Sequence, residues 1–231
     1  MKNTYTAIIT ARGGSKGLPR KNVLDLAGKP MIAHTITAAQ DSGCFEDVVV
    51  TTDCPEIKAV SQNWNAVVIN RPPELATDNA SSVDVLHHAI SVLKNKGKIT
   101  SHVVLLQPTS PLRNLNHIKE AIAKFESSDA ESLVSVTEVN HPIQKFFFDN
   151  DGVLAPVFSW DVLTMPRQSL KPALWVNGAI YIVSCEKFIK SKNLFALPVA
   201  SYLMIPTFSL DIDSAEDFEH AKNILLRNEP M

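Results

Sequence analysis

Thr6-Ala7-Ile8-Ile9-Thr10-Ala11-Arg12-Gly13-Gly14-Ser15-Lys16-Gly17-Leu18-Pro19-Arg20-Lys21-Asn22 is the stretch that decides the fold. Residues 6–10 form a short apolar and β-branched run that breaks into glycines, the mark of a strand buried on both faces. The turn after it carries three glycines and four cations, Arg12, Lys16, Arg20 and Lys21. Open α/β sheets bind ligands beyond the carboxyl ends of their strands, so this turn stands where a ligand is expected. Its glycines, Gly13 among them, let backbone N–H groups come close, and its cations match the oxygens of a polyphosphate. The spacing is neither Gly-x-x-x-x-Gly-Lys-Ser/Thr nor Gly-x-Gly-x-x-Gly.

Working outward, strand and helix signals alternate. Strands are expected at 47–52, 66–69, 103–107, 132–137, 179–183 and 209–212. A helix is expected from Pro30, with Ile32, Ile36 and Ala39 on one face and Gly43 as its C-terminal cap. Further helices are expected at 55–63, 82–95, 116–125 and 214–227, the last opened by a capping box of Ser214 and Asp217. This alternation predicts an α/β architecture with a mainly parallel sheet covered on both faces. It breaks between 141 and 176, where Phe146-Phe147-Phe148 precedes Asn150-Asp151-Gly152 and another apolar run. Asp-Gly between apolar runs predicts a hairpin, read as a projecting β-arm. Adjacent phenylalanines alternate in direction along a strand, so one face is expected on the body and the other on a second subunit. The organisation expected is a single domain over 1–231 with 141–176 as an arm within it.

The 231 residues carry a net charge of −2 and 45% apolar residues. Neither value suits a nucleic-acid partner, which selects a basic stripe. No apolar run is long enough to span a bilayer, and the run 7–9 is too short for a signal peptide. Three widely spaced cysteines, Cys44, Cys54 and Cys185, argue against a disulfide framework and for a reduced, cytoplasmic protein. None of the seven histidines forms His-Glu-x-x-His, and no Gly-x-Ser-x-Gly elbow is present.

A second constellation lies near the end. On a strand over 209–212, Asp211 and Asp213 would point to one face with Ile212 behind them. Two carboxylates with substrate phosphates are the usual donors to Mg²⁺. Between the two constellations, Arg71 opens a polar segment that ends at Ser82, which would either cap the following helix or donate to a ligand. Gln107 is expected at a strand's carboxyl end, facing a ligand.

Taken together, residues 11–22, 71–82, 105–112 (LLQPTSPL), Pro166-Arg167-Gln168, 177–182 (NGAIYI) and Asp211-Ile212-Asp213 resemble the CMP-N-acylneuraminate synthetase (acylneuraminate cytidylyltransferase) family, in that family's order. The resemblance implies a Rossmann-like three-layer α/β/α sandwich of the nucleotide-diphospho-sugar transferase type and a homodimer joined through the arm. It implies that Arg12, Gly13, Ser15, Lys16, Lys21, Asn22, Arg71 and Ser82 hold CTP, and that Asp211 and Asp213 bind Mg²⁺. Gln107, Arg167, Asn177, Tyr181 and Phe195 would line the sugar side, with Arg167 acting across the dimer. Lys16 and Lys21 would stabilise charge on the reacting phosphates. The reaction implied joins CMP to a nonulosonic acid, with pyrophosphate leaving. Trp175 and Gln144 stand where members acting on N-acetylneuraminate often carry Arg and Lys, which favours a legionaminic or pseudaminic acid-type substrate. Rival readings are CMP activation of Kdo or another sugar acid, a glycosyltransferase, and a catalytically silent nucleotide-sugar-binding protein.

Overall fold

The computed structural model describes residues 3–15, 17–98 and 100–228. Strand β1 (Tyr5–Thr10) runs into the basic loop, then a two-stranded hairpin of β2 (Asp25–Leu26) and β3 (Lys29–Pro30), then helix α1 (Met31–Ser42). Next come β4 (Asp47–Thr52), α2 (Pro55–Asn63), β5 (Val67–Asn70), α3 (Ser82–Asn95), β6 (His102–Leu106), α4 (Leu115–Glu126) and β7 (Ser132–Glu138). The arm follows as β8 (Phe147–Asn150), β9 (Val153–Pro156) and α5 (Trp160–Thr164). The chain closes with β10 (Leu174–Ser184), α6 (Cys185–Ser191), β11 (Val199–Leu203) and α7 (Ala215–Asn228).

The main sheet has seven strands in the order β11-β7-β10-β6-β1-β4-β5. β6, β1, β4 and β5 are parallel, as are β11 and β7, while β10 runs antiparallel between β6 and β7. The order reverses on the two sides of β1, which opens a crevice beyond its carboxyl end. Successive residues of a strand point to opposite faces, and both faces of β1 are covered. Ala7 and Ile9 pack among α1, α2 and α4, with Ile36, Ile57 and Ile118. Ile8 packs on the opposite face among α3 and α6, with Leu86, Ile90 and Phe188. Fully burying an aliphatic side chain of this size contributes about 1.5–3 kcal/mol, so this pair of layers outweighs local propensity in fixing β1. A third cluster joins Leu26 and Met31 to Ile212, Phe218 and Ala221, seating α7 over the β2–β3 hairpin.

Three expectations are corrected. Residues 209–212 form no strand; Ile212 N–H instead donates one bond to Thr109 O at 2.8 Å, a single anchor rather than a ladder. The edge strand beside β7 is β11. The phenylalanines of the arm do not divide between body and exterior, because Phe146, Phe147 and Phe148 are all exposed. Pro30 precedes α1 as its cap rather than opening it, and Gly43 closes it at φ 64°. The Asp151-Gly152 turn has both residues at positive φ, 54° and 87°, as a two-residue hairpin requires. Ser214 and Asp217 form the expected reciprocal cap, with Asp217 N–H donating to Ser214 Oγ at 3.2 Å and Ser214 N–H to Asp217 Oδ2 at 2.8 Å.

Candidate active site

The crevice beyond β1 is a cleft of about 390 Å³. Its walls come from the loops that follow β1, β5 and β6, and from the segment before α7. Backbone bonds fix two of these loops to the end of β4: Ala11 N–H donates to Thr51 O at 3.1 Å and Arg71 N–H to Thr52 O at 2.8 Å. Of the residues expected on chemical or family grounds, Arg12, Ser15, Lys21, Asn22, Arg71, Ser82, Gln107 and Asp213 line this one cleft. Lys16 lies outside the described residues.

The two constellations of the sequence meet through Lys21. Its ammonium donates to Ile212 O at 2.7 Å and to Asp213 Oδ1 at 3.0 Å. The Asp213 carbonyl also crosses directly over Gly17, where any side chain would collide with that oxygen. That close approach is the reason for a glycine at 17. Asn22 closes the basic loop on itself, donating from Nδ2 to Arg12 O at 3.2 Å, while its buried Oδ1 has no partner among the described residues.

Arg71 is a buried cation, 7% exposed. It donates to Thr51 O at 2.7 Å, and its Nε has no partner among the described residues. Burial pushes its pKa down to about 10, with the Asp53 carboxylate opposing that and Arg12 adding to it. It therefore stays charged at neutral pH. Arg12 is paired with Asp78 across the cleft at 2.8 Å. Arg20, expected among the polyphosphate cations, turns away and ion-pairs with Glu56 on the first turn of α2. Gly13 N–H donates to Asp53 Oδ1 at 3.1 Å, and a Cβ at this glycine would press on Cys54 Cβ at 3.0 Å. Ser81, not Ser82, caps α3 by accepting from Asp84 N–H, which leaves Ser82 on the cleft wall.

Asp211 sits beside Tyr181. Burial raises the Asp211 pKa above the ordinary carboxylate value, a Thr109 hydrogen bond pulls it back, and the Asp213 charge raises it further. The Tyr181 phenol is raised by burial and by Asp211. Phe195 packs edge-on to Tyr181, ring centroids 6.2 Å apart. Gln107 links this group to the cleft: it lines the cleft, and its Oε1 abuts Gly178 in the strand that carries Tyr181. Gly178 has φ 75°, where the pairing of β10 with β7 shifts register.

Asn177 and Arg167 lie elsewhere. Asn177 is buried, accepting from Ser135 Oγ at 2.6 Å and Ala179 N–H at 3.2 Å, and donating to Ser209 Oγ at 2.9 Å. Its polar atoms are engaged in holding β10 to β7 and to the segment that leads into 211–213. Arg167 is on the arm, donating to Asn140 O at 2.7 Å, outside the cleft of its own chain.

Arg113 was not foreseen. It is 1% exposed, and no ion pair is formed by it among the described residues. Its guanidinium donates to Gln107 O at 3.1 Å, Ala179 O at 3.2 Å and Thr35 Oγ1 at 2.6 Å. Burial pushes its pKa down to about 9. Arg113 thus clamps the carboxyl end of β6 to β10 and α1. Thr10, Thr77, Asp78 and Thr109 on the cleft wall were also not singled out, although the polar segments 71–82 and 107–113 contain most of them.

A mainly parallel sheet that opens into a cation-rich cleft at its switch point, with carboxylates among the lining, defines an α/β protein with its candidate site at the carboxyl ends of the strands. The chain belongs to the Cytidylyltransferase family, whose profile matches residues 6–195. It is 41% identical over 216 residues to the N-acylneuraminate cytidylyltransferase of Streptococcus agalactiae serotype V, covering 92% of this chain and 51% of that relative. The chain therefore spans about half the length of that relative. It is 36% identical over 224 residues to the pseudaminic acid cytidylyltransferase of Campylobacter jejuni serotype O:23/36, covering 96% of this chain and 95% of the relative. Among solved structures, CMP:2-keto-3-deoxy-manno-octonic acid synthetase complexed with CTP superposes with a TM-score of 0.73 at 16% identity, over 98% of this chain and 100% of the other. At that identity the likeness speaks to the fold, and it agrees with the expected Rossmann-like sandwich.

Proposed function

We propose that the chain is a cytidylyltransferase that joins CMP from CTP to the anomeric hydroxyl of a nonulosonic acid, releasing pyrophosphate. The observation that carries this reading is the convergence of Arg12, Lys21 and Arg71 with Asp213 in one cleft beyond β1. Names of relatives support the same reaction class: one acts on N-acylneuraminate and another on pseudaminic acid.

The donor set suits Mg²⁺. Asp211 and Asp213 flank the anchored Ile212, and no third histidine, cysteine or carboxylate completes a metal cage with them among the described residues. A pair of carboxylates completed by substrate phosphates is the arrangement this ion prefers. Asp211 and Asp213 would hold the ion, which when bound supplies charge neutralisation on the triphosphate. The remaining work falls to the chain's own residues. Arg71, fixed by Thr51 O, offers a prepaid cation to the phosphates. Lys21 stabilises charge that develops on the α-phosphate as the sugar hydroxyl attacks in line and pyrophosphate departs. Gln107, Tyr181 and Phe195 form the wall on which the acid is received.

The exposed side chains Phe148, Val153, Leu154, Phe158 and Trp160 leave the arm rich in uncovered apolar residues, of the kind that a protein interface covers. It supports a homodimer in which Arg167 serves the partner's cleft. The protein would act in the reducing environment of the cytoplasm; among the described residues no helix is long and apolar enough to cross a membrane.

The test is pyrophosphate release with CTP, ATP, GTP and UTP against sialic, legionaminic, pseudaminic and Kdo acids. Release is expected with CTP and one of the nine-carbon acids. Turnover confined to Kdo, or with no acid at all, would end this reading.

A further inference from the structure

We infer that Asn177 is a positioning residue rather than a ligand to the sugar acid: its buried carboxamide ties the wall that receives the acid to the segment that carries Asp211 and Asp213. The inference rests on the cytidylyltransferase reading of the cleft and revises the role that the family resemblance gives this side chain.

Asn177 is 3% exposed, and its carboxamide has no spare capacity. Its Oδ1 accepts from Ser135 Oγ at 2.6 Å and from Ala179 N–H at 3.2 Å. Its Nδ2 donates to Ser209 Oγ at 2.9 Å and to Met204 Sδ at 3.4 Å. Those four contacts use both lone pairs and both N–H groups of the amide. A sugar hydroxyl would have to break one of them and strand a buried polar group.

What the Oδ1 end holds is a bulge. Val176 pairs with Val136 and Tyr181 with Val134, so residues 177–180 of β10 face Ser135 alone on β7. The strand ladder cannot serve them, and two side chains do so instead. Ser135 Oγ accepts from Ile180 N–H at 2.7 Å and donates to Asn177 Oδ1. Bulges beside active sites re-aim side chains. This one carries Gly178, which Gln107 Oε1 abuts, and leads into Tyr181. The Oδ1 end therefore shapes the receiving wall.

The Nδ2 end reaches the other half of the site. Ser209 stands two residues before Asp211, and its hydroxyl donates onward to Ile205 O at 3.0 Å. Lys21 and Thr109 hold the acidic segment from the cleft side, through Ile212 O and Ile212 N–H. Asn177 holds it from the sugar side, through Ser209. One planar amide, fixed at both ends, thus sets the spacing between the Gln107–Tyr181 wall and the acidic pair. In-line attack needs the reacting atoms within about 3–3.5 Å, so an error in this spacing falls on kcat and on the metal's share of CTP binding. The metal-free grip on CTP by Arg12 and Arg71 lies outside the tie.

The experiment uses Ser209→Ala, which deletes the hydroxyl that Asn177 holds at a residue outside the cleft lining, and Ser209→Thr, which keeps it. Folding of each variant is checked by circular dichroism. With the acid that the parent turns over, Ser209→Ala is expected to lower kcat about tenfold and to leave the KM for the acid within about threefold. In calorimetric titration with CTP, it should match the parent within about twofold in EDTA and lose about threefold of the tightening that Mg²⁺ gives. Ser209→Thr should stay within about twofold of the parent on every count. Asn177→Ala should lower kcat at least as much as Ser209→Ala, and combining the two should cost no more than about twofold further, since they act as a unit. If Asn177→Ala fails to fold, the Ser209 variants decide alone. A Ser209→Ala protein with kcat within about twofold of the parent would overturn the tie, since a ligand role for Asn177 leaves that variant unaffected. Equal weakening of CTP in EDTA and in Mg²⁺ would also overturn it, by marking a merely structural contact. A parent chain that binds no CTP ends the reading of the cleft and the tie with it, whereas an active parent beside an unaffected Ser209→Ala ends the tie alone.

Discussion

Substituting Gly17 by alanine is a sharp test of how the basic loop and the acidic segment are joined. The new Cβ would overlap the Asp213 carbonyl oxygen, a backbone atom that moves only with its whole segment. That segment is held by Lys21, through Ile212 O at 2.7 Å and Asp213 Oδ1 at 3.0 Å, and by Thr109 O through Ile212 N–H at 2.8 Å. The two Lys21 bonds differ in worth. The lysine side chain is only 13% exposed, but the Asp213 side chain is 79% exposed, so the carboxylate contact is screened by water. The bond to the carbonyl counts as a charge-assisted one, about 1.5–3 kcal/mol. The carboxylate adds about 0.2–1 kcal/mol. Partial loss of both puts the stability cost near ~2 kcal/mol. Catalysis suffers more, because a displacement of about 1 Å at a reacting centre costs on the order of 100-fold in rate. Urea unfolding and pyrophosphate release at saturating CTP measure the two effects on one preparation. A Gly17→Ala protein that keeps turnover within about twofold of the parent would refute the close coupling of loop and acidic segment.

Three other outcomes follow from particular contacts. Arg113→Met leaves the Gln107 and Ala179 carbonyls without their donor, so it should destabilise the fold by about 2–4 kcal/mol in urea; a loss under about 0.5 kcal/mol would mean that shedding the buried charge offsets those bonds. Burial lowers the pKa values of His34, His102 and His117, and His117 Nδ1 accepts from Asn114 N–H in the cap of α4. The unfolded chain therefore binds more protons than the folded one below the ordinary imidazole value of about 6.5, so the melting temperature should fall between pH 7.5 and about 5.5; a flat or rising profile would contradict it. Phe148→Glu and Trp160→Glu place charge on the exposed arm and should convert a dimer to monomer at micromolar concentration by light scattering, whereas an unchanged dimer would move the interface elsewhere.

The sequence disclosed the sheet core because β1, β4 and β6 are apolar on both faces, a pattern that few other elements produce. The arm hairpin was legible through Asp151-Gly152, whose residues accept positive φ. β11 was not legible. It is a half-buried edge strand, and its Val-Ala-Ser-Tyr-Leu carries little alternation. Asp211-Ile212-Asp213 imitated that alternation without being a strand, because the burial of Ile212 comes from α7 and the β2–β3 hairpin rather than from a sheet. In the site, the basic loop and the acidic pair announced themselves by composition. Arg20 did too, yet its partner is Glu56 on α2, and only tertiary structure decides which cations of a loop turn inward. Arg113 and Asp78 were hidden for the converse reason. One is a charge in the core and the other a carboxylate among cations, and both are defined by partners distant in sequence.

Whether the cleft beyond β1 receives the triphosphate is decided most directly by a crystal structure of the chain with CTP and Mg²⁺. Phosphate oxygens are expected on Arg71 and Lys21, with a metal ion held by the carboxylates of Asp211 and Asp213. Nucleotide bound away from Lys21 and Arg71, or a metal ion that touches neither aspartate, would contradict it.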